Sequence, residues 1–135
     1  MNDKAGRDTP SSKIVRFEDL IAWQKSRVLA REIYLITGQG EFARDFGLRD
    51  QIRRAAVSTM SNVSEGFERR GRAGFRHFRS IGEAACAGVC SQLYVAHDVG
   101  YLHTGDFERL ANMADETSRI IGALRASLRQ PRPAT

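Results

Sequence analysis

LRDQIRRAAVSTMSNVSEGFER, residues 48–69, decides the fold. Leu48, Ile52, Ala55, Ala56, Met60, Val63 and Phe67 return at three- and four-residue steps, which lines one face of an α-helix. Arg49, Arg53 and Arg54 fall beside or opposite that stripe. The stretch therefore predicts an amphipathic helix from about Leu48 to Arg69, with one face for a core and one for solvent.

The same period extends outward in both directions. Upstream, a helix is predicted from near Phe17, with Leu20, Ile21, Trp23, Val28, Ala30, Ile33, Tyr34 and Leu35 as its apolar positions. Glu18 and Asp19 would sit in its first turn, where the helix dipole favours negative charge. Gly38 and Gly40 end it and leave GQGEFARDFG, residues 38–47, as a loop. Downstream, Gly71 marks a break before a third helix, expected from about Ala73 to Leu102. Its face carries Phe75, Phe78, Gly82, Ala85, Val89, Leu93 and Ala96. Thr104 or Asp106 then offers an N-cap for a fourth helix bearing Phe107, Leu110, Ala111, Ala114, Ile121, Leu124 and Leu128. Nothing alternates with period two over a useful length. The expectation is an all-α chain, an antiparallel up-down four-helix bundle over residues 17–129, with short connections. Residues 1–16 are polar and aperiodic and read as a flexible arm; 130–135 read as a flexible tail.

With 135 residues, 41% of them hydrophobic, the chain has the material for one domain core. No apolar run approaches the ~18 residues that span a bilayer, and the N-terminal charges have no apolar stretch behind them. The expectation is a cytoplasmic protein with no membrane partner. The formal charge is +5, and 18 of the 21 basic residues are Arg, since Lys occurs only at 4, 13 and 25. Arg suits bidentate phosphate contacts, so the balance favours an anionic partner, although an Arg-rich genome gives the same count. Cys86 and Cys90 lie four apart, a spacing that suits two small buried apolar residues better than a disulfide or a metal pair.

No catalytic arrangement emerges. His77, His97 and His103 have no ligand spacing among themselves, and Cys90 with His97 supplies two ligands where zinc needs more. GQGEFARDFG lacks the Lys-Ser/Thr ending of a phosphate loop. Ser58, Ser61 and Ser64 have no recognisable base. The expectation is a non-enzymatic protein with no cofactor and no metal. The strongest chemical signal is RRGRAGFRHFR, residues 69–79, with Arg69, Arg70, Arg72, Arg76 and Arg79, one His and no acid. Arg72, Arg76 and Arg79 share a helical face and would make a compact positive patch suited to phosphates; with Arg49, Arg53, Arg54, Arg69 and Arg70 they are the eight candidates for binding RNA or another nucleic acid. Phe75 and Phe78 between them read as core, and some of the arginines as a rim paired with Glu65 or Glu68.

Two further features bear on packing. Residues 82–91, GEAACAGVCS, are almost all small, so Gly82, Ala85 and Gly88 mark a close helix contact, inside the chain or between subunits. Ser58, Asn62 and Glu65 draw a polar line along an otherwise apolar helix, with Gly66 beside it. The line is expected to satisfy backbone groups of a neighbouring helix or to fix register, or else to form a binding site.

FGLRDQIRRAAVSTMSNVSEGFER (46–69), FEDLIAWQKSRVLAREIY (17–34) and VAHDVGYL (95–102) together resemble the four-helix bundle family of large-subunit ribosomal RNA intervening-sequence proteins. The resemblance implies a small helical bundle assembled as a homo-oligomeric ring, typically a homopentamer, that binds RNA. Related accessory variability determinants of diversity-generating retroelements act beside a reverse transcriptase, which makes such a polymerase a second implied partner. No catalytic residue comes with the resemblance. The chain departs from the family's pattern in three places. Met60 stands where the family has proline in SIPSNIAEG, and the first loop lacks proline. AACAGVCSQL places Gly88 and Cys90 where GSLAELETQL has acids.

Overall fold

Asp45 fixes where the central helix begins. Its Oδ1 accepts the Leu48 backbone N–H at 3.1 Å, capping the helix, and its Oδ2 accepts the Tyr101 hydroxyl at 2.9 Å. The helix thus starts at Phe46, ahead of the expected Leu48. The computed structural model describes residues 14–126. A 3-10 turn at Phe17–Asp19 is followed by α1 (Ile21–Thr37), α2 (Gly40–Arg44), α3 (Phe46–Glu68), α4 (Arg72–Asp98) and α5 (Thr104–Gly122). Among the described residues there are five helices and no strand, and no helix is long and apolar enough to cross a membrane.

Several boundaries differ from expectation for visible reasons. Arg16 pairs with Glu18 at 3.2 Å, and Gln24 Nε2 donates to the Glu18 carbonyl at 2.9 Å. These contacts fold residues 17–19 into the turn, so α1 starts at Ile21 with Leu20 as its buried N-cap residue. The predicted 38–47 loop contains α2. Gly40, at φ 58°, turns the chain into it, and Phe42 is 1% exposed. α4 ends at Asp98, where Gly100 at φ 89° lets the Tyr101 N–H return to the Ala96 carbonyl at 2.8 Å. His103, with no side-chain cap bond, is the N-cap residue of α5; neither Thr104 nor Asp106 takes that place. Within the expected arm, Ile14 packs against core residues; residues 1–13, Leu128 and the 130–135 tail lie outside the described residues.

The four long helices pack in a closed circuit, α1 and α4 each against both α3 and α5. Two apolar clusters fill the space between them. One gathers Leu29, Ile33, Phe42, Ile52, Cys86, Leu93 and Leu110. The other joins Leu20 and Ala22 from the start of α1, Val63 and Phe67 from the end of α3, Phe75 from the start of α4, and Ile121 and Leu124. Buried hydroxyls bond within their own helices. Ser26, Thr37, Thr59 and Thr117 donate to the carbonyls of Ala22, Ile33, Ala55 and Met113 at 2.7–2.9 Å.

The inward face of α1 is only partly the one expected: Leu20, Ala30 and Ile33 are buried as predicted, and four other expected positions are not. Ala22, Ser26, Leu29, Ala30, Ile33 and Thr37 are buried, while Ile21, Val28, Tyr34 and Leu35 are exposed. The helix carries two apolar stripes, and Ser26 and Thr37 disguise the inner one.

Candidate nucleic-acid interface

The eight candidate arginines form two groups at opposite ends of α3. Twenty residues separate Arg49 from Arg69, roughly 30 Å at the rise of an α-helix. In the first group, Arg53 Nε donates to Thr37 Oγ1 at 2.8 Å and Nη2 to the Tyr34 carbonyl at 3.3 Å, with the guanidinium over the Tyr34 ring. It closes the C-terminal end of α1, where free carbonyls and the helix dipole both favour a cation. Arg49 bonds Asp50 at 2.9 Å and the Ala43 carbonyl at 3.1 Å, and lies over Phe46. That bond from Arg49 holds the Asp50 carboxyl below the usual carboxylate range. Arg54 is exposed.

The second group divides at the junction of α3 and α4. Arg69 caps the end of α3, pairs with Glu65 at 2.7 Å and covers Phe78, a position the helix dipole rewards. Arg70 follows it, exposed, in the connection. Arg72 opens the first turn of α4, where that argument reverses, and Arg76 and Arg79 follow on the next turns. A helix N-terminus favours anions, and no acid stands in the first turn. These three line an open cleft of about 180 Å³ together with Arg125, over Phe75 and Leu124. Arg79 Nη1 donates to the Leu124 carbonyl at 3.1 Å and ties the two walls together. Among the described residues the lining contains no carboxylate.

Arg125 is not singled out in the sequence, and Leu124 reads there only as an apolar position of the fourth helix. They come from the segment after α5, 45 residues beyond Arg79, and no local pattern joins the two stretches.

Close helix approach creates this corner. A Cβ at Gly66 would stand 3.2 Å from Phe78 Cβ and 3.4 Å from the Phe75 carbonyl oxygen. One at Gly82 would meet Asn62 Cβ and the Thr59 carbonyl at 3.4 Å. Gly82 therefore serves the α3–α4 contact inside the chain, which removes it from the candidate subunit contacts. Ala85 is half-buried, and around Gly88 nothing lies within 4 Å of the Cβ position.

The polar line resolves differently from expectation. Asn62 Nδ2 donates to the Ser58 carbonyl at 2.8 Å and to Ser58 Oγ at 3.0 Å, both on its own helix. Glu65 is exposed and bound to Arg69, so the three side chains do not bridge to a neighbouring helix. Residues four apart on one helix face satisfy each other before any partner is needed.

Other reactive groups are occupied or shielded. Cys86 is fully buried, its thiol donates to the Ala114 carbonyl at 3.2 Å, and burial pushes it up to about 12. His97 stacks on Phe107, with Thr104 Oγ1 at 3.4 Å from Nε2. Among the described residues no group of three or more His, Cys, Asp or Glu is placed to hold a metal ion.

Residues 18–123 match the family model described as 23S rRNA-intervening sequence protein. A solved structure from Bacteroides thetaiotaomicron VPI-5482, titled a protein with unknown function from the S23 ribosomal protein family, has a similar fold. Its TM-score is 0.70 at 20% identity, over 76% of this chain and 93% of that one. No curated protein matches the chain.

Proposed function

The chain belongs to the 23S rRNA-intervening sequence protein family, and on that premise we propose that it is a non-enzymatic, self-associating antiparallel four-helix bundle that binds RNA. The observation carrying the reading is the acid-free cleft, where Arg72, Arg76, Arg79 and Arg125 converge from two segments distant in sequence. A converging set of guanidiniums matches phosphate, in charge and in bidentate geometry. The second cluster supports the up-and-down course, since it brings the start of α1 to the end of α3 and the start of α4.

Self-association draws support from the outer stripes. Ile21, Val28 and Leu35 on α1 are exposed at seven-residue steps, and Ile81 and Val95 on α4 are exposed either side of Gly88 at the same steps. Such stripes suit helix-to-helix docking. Because α1 and α4 are diagonal in the circuit, the two stripes are different patches on different sides. Joining one to the other on the next copy is a heterologous contact, the kind that closes into rings, and a pentamer is the first size to test. A ring repeats the basic cleft once per subunit, and several weak phosphate contacts then act together.

The same stripes also favour a second reading, an adaptor that docks another polypeptide such as a reverse transcriptase. Titration of labelled RNA at moderate salt separates the two. Binding that weakens steeply as salt rises supports the RNA reading; absence of binding gives the lead to the adaptor.

A further inference from the structure

Phe46 is the most exposed large apolar side chain among the described residues, at 63%, and Tyr34 is 46% exposed. Each ring carries a cation. The Arg49 guanidinium lies over Phe46, 4.7 Å from the ring centroid, and that of Arg53 lies over Tyr34 at 4.5 Å. Arg49 and Arg53 are four residues apart on α3, so the two cation–ring pairs are neighbours. Both guanidiniums have already spent edge donors. Arg49 uses Nε on Asp50 and Nη1 on the Ala43 carbonyl; Arg53 uses Nε on Thr37 Oγ1 and Nη2 on the Tyr34 carbonyl. A guanidinium held in this way has little left for a bidentate phosphate contact, and its remaining asset is a flat, charged plane. This face therefore differs in kind from the α4 cleft.

We infer that the Tyr34–Phe46 face takes unpaired bases of an RNA strand, stacked on the two rings and on the guanidiniums fixed against them. Splayed-out bases stack on aromatic side chains and on Arg planes, and such stacking tolerates any sequence because every base has a π-face. Paired bases are stacked inside their duplex, so the occupant is single-stranded. The charge is complementary. Residues 44–54 carry Arg44, Arg49, Arg53 and Arg54 against two acids. Both acids are engaged, Asp50 by Arg49 and Asp45 by the Leu48 N–H and the Tyr101 hydroxyl. Arg54 is exposed and open to the strand's phosphates. The face is also distinct from the outer stripe of α1, since Tyr34 stands about 100° around that helix from Leu35, on the side where Arg53 meets it.

The inference rests on the RNA reading, and its test keeps the two apart. A single-stranded oligoribonucleotide of mixed sequence is compared with an abasic oligomer of the same length, which has the same phosphates and no bases. Both are titrated against the wild type, the double variant Tyr34→Ala/Phe46→Ala, and Phe46→Trp. Tyr34 and Phe46 are exposed, so their replacement leaves the core intact, which circular dichroism checks. The wild type is expected to bind the base-bearing oligomer about tenfold tighter, as one or two stacked bases allow. The double variant is expected to bring that ratio to within about twofold without changing affinity for the abasic oligomer, and Phe46→Trp to keep the preference. Equal binding of the two oligomers by the wild type overturns the stacking assignment and leaves the RNA reading standing. A tenfold preference that survives the double variant overturns this face as its seat. If neither oligomer binds, both readings fall and the exposed rings pass to a polypeptide partner.

Discussion

Gly66 and Gly88 both lie inside long helices, and their surroundings are opposite. An added Cβ at Gly66 meets Phe78 Cβ and the α4 backbone; at Gly88 it meets open space. Alanine gains about 1 kcal/mol of helix propensity over glycine at either site. At Gly88 no contact within the chain opposes that gain, so Gly88→Ala should stabilise the dissociated single chain by about 1 kcal/mol. At Gly66 the gain opposes an overpacking cost of about 1–3 kcal/mol, because backbone cannot move aside as a flexible side chain can. Gly66→Ala should therefore be net destabilising, by about 1 kcal/mol. Thermal denaturation of the two variants checks both signs, and a stabilised Gly66→Ala contradicts the α3–α4 contact described. The buried thiol gives a parallel check: Cys86 should label with thiol reagents only as the protein unfolds, since its thiolate form is suppressed.

At the scale of elements, Asp45 links the start of α3 to the end of α4 through Leu48 and Tyr101. The Leu48 N–H first, then the Tyr101 hydroxyl, hold its carboxyl below the usual range. A depressed carboxyl pKa contributes stability in full above the unfolded value, near ~3.9, and loses it as pH falls through the folded value. Asp45→Asn keeps a capping side chain and loses the titration, so its melting temperature should fall less steeply than the wild type's below pH ~4. Identical acid limbs would remove Asp45 as a link. The same residue shows what sequence conveys and what it withholds. The 3.6-residue period exposed the four long helices plainly, because burial of one face leaves a repeating local trace. α2 left none, being a single buried Phe42 between glycines. The inner face of α1 was legible only at Leu20, Ala30 and Ile33, because Ser26 and Thr37 bond their own backbone and so pass as core. The arginine run was visible, but not its division: Arg69 suits the end of one helix, Arg72 opposes the start of the next, and Arg76 and Arg79 continue along it. Arg125 joins them only through tertiary folding.

At the scale of the molecule, assembly and RNA binding are the two proposals, and they are separable. Light scattering should give a mass several times 15.1 kDa. Val28→Asp and Val95→Asp place a charge on either outer stripe, where substitution changes fold stability by only about 0.5 kcal/mol. Each should shift the mass toward the single chain with circular dichroism unchanged. A wild type that is monomeric across micromolar concentrations contradicts the ring. The central claim, that the α4 arginines bind phosphate, is tested most directly by RNA affinity measured against salt. The wild type is compared with a variant in which Arg72, Arg76 and Arg79 are all alanine. Removing three phosphate contacts per subunit should weaken binding strongly and reduce the slope of log affinity against log salt by about 2 for single-stranded RNA, in units of the per-subunit contact. Equal affinities and equal slopes in two folded proteins would contradict the account.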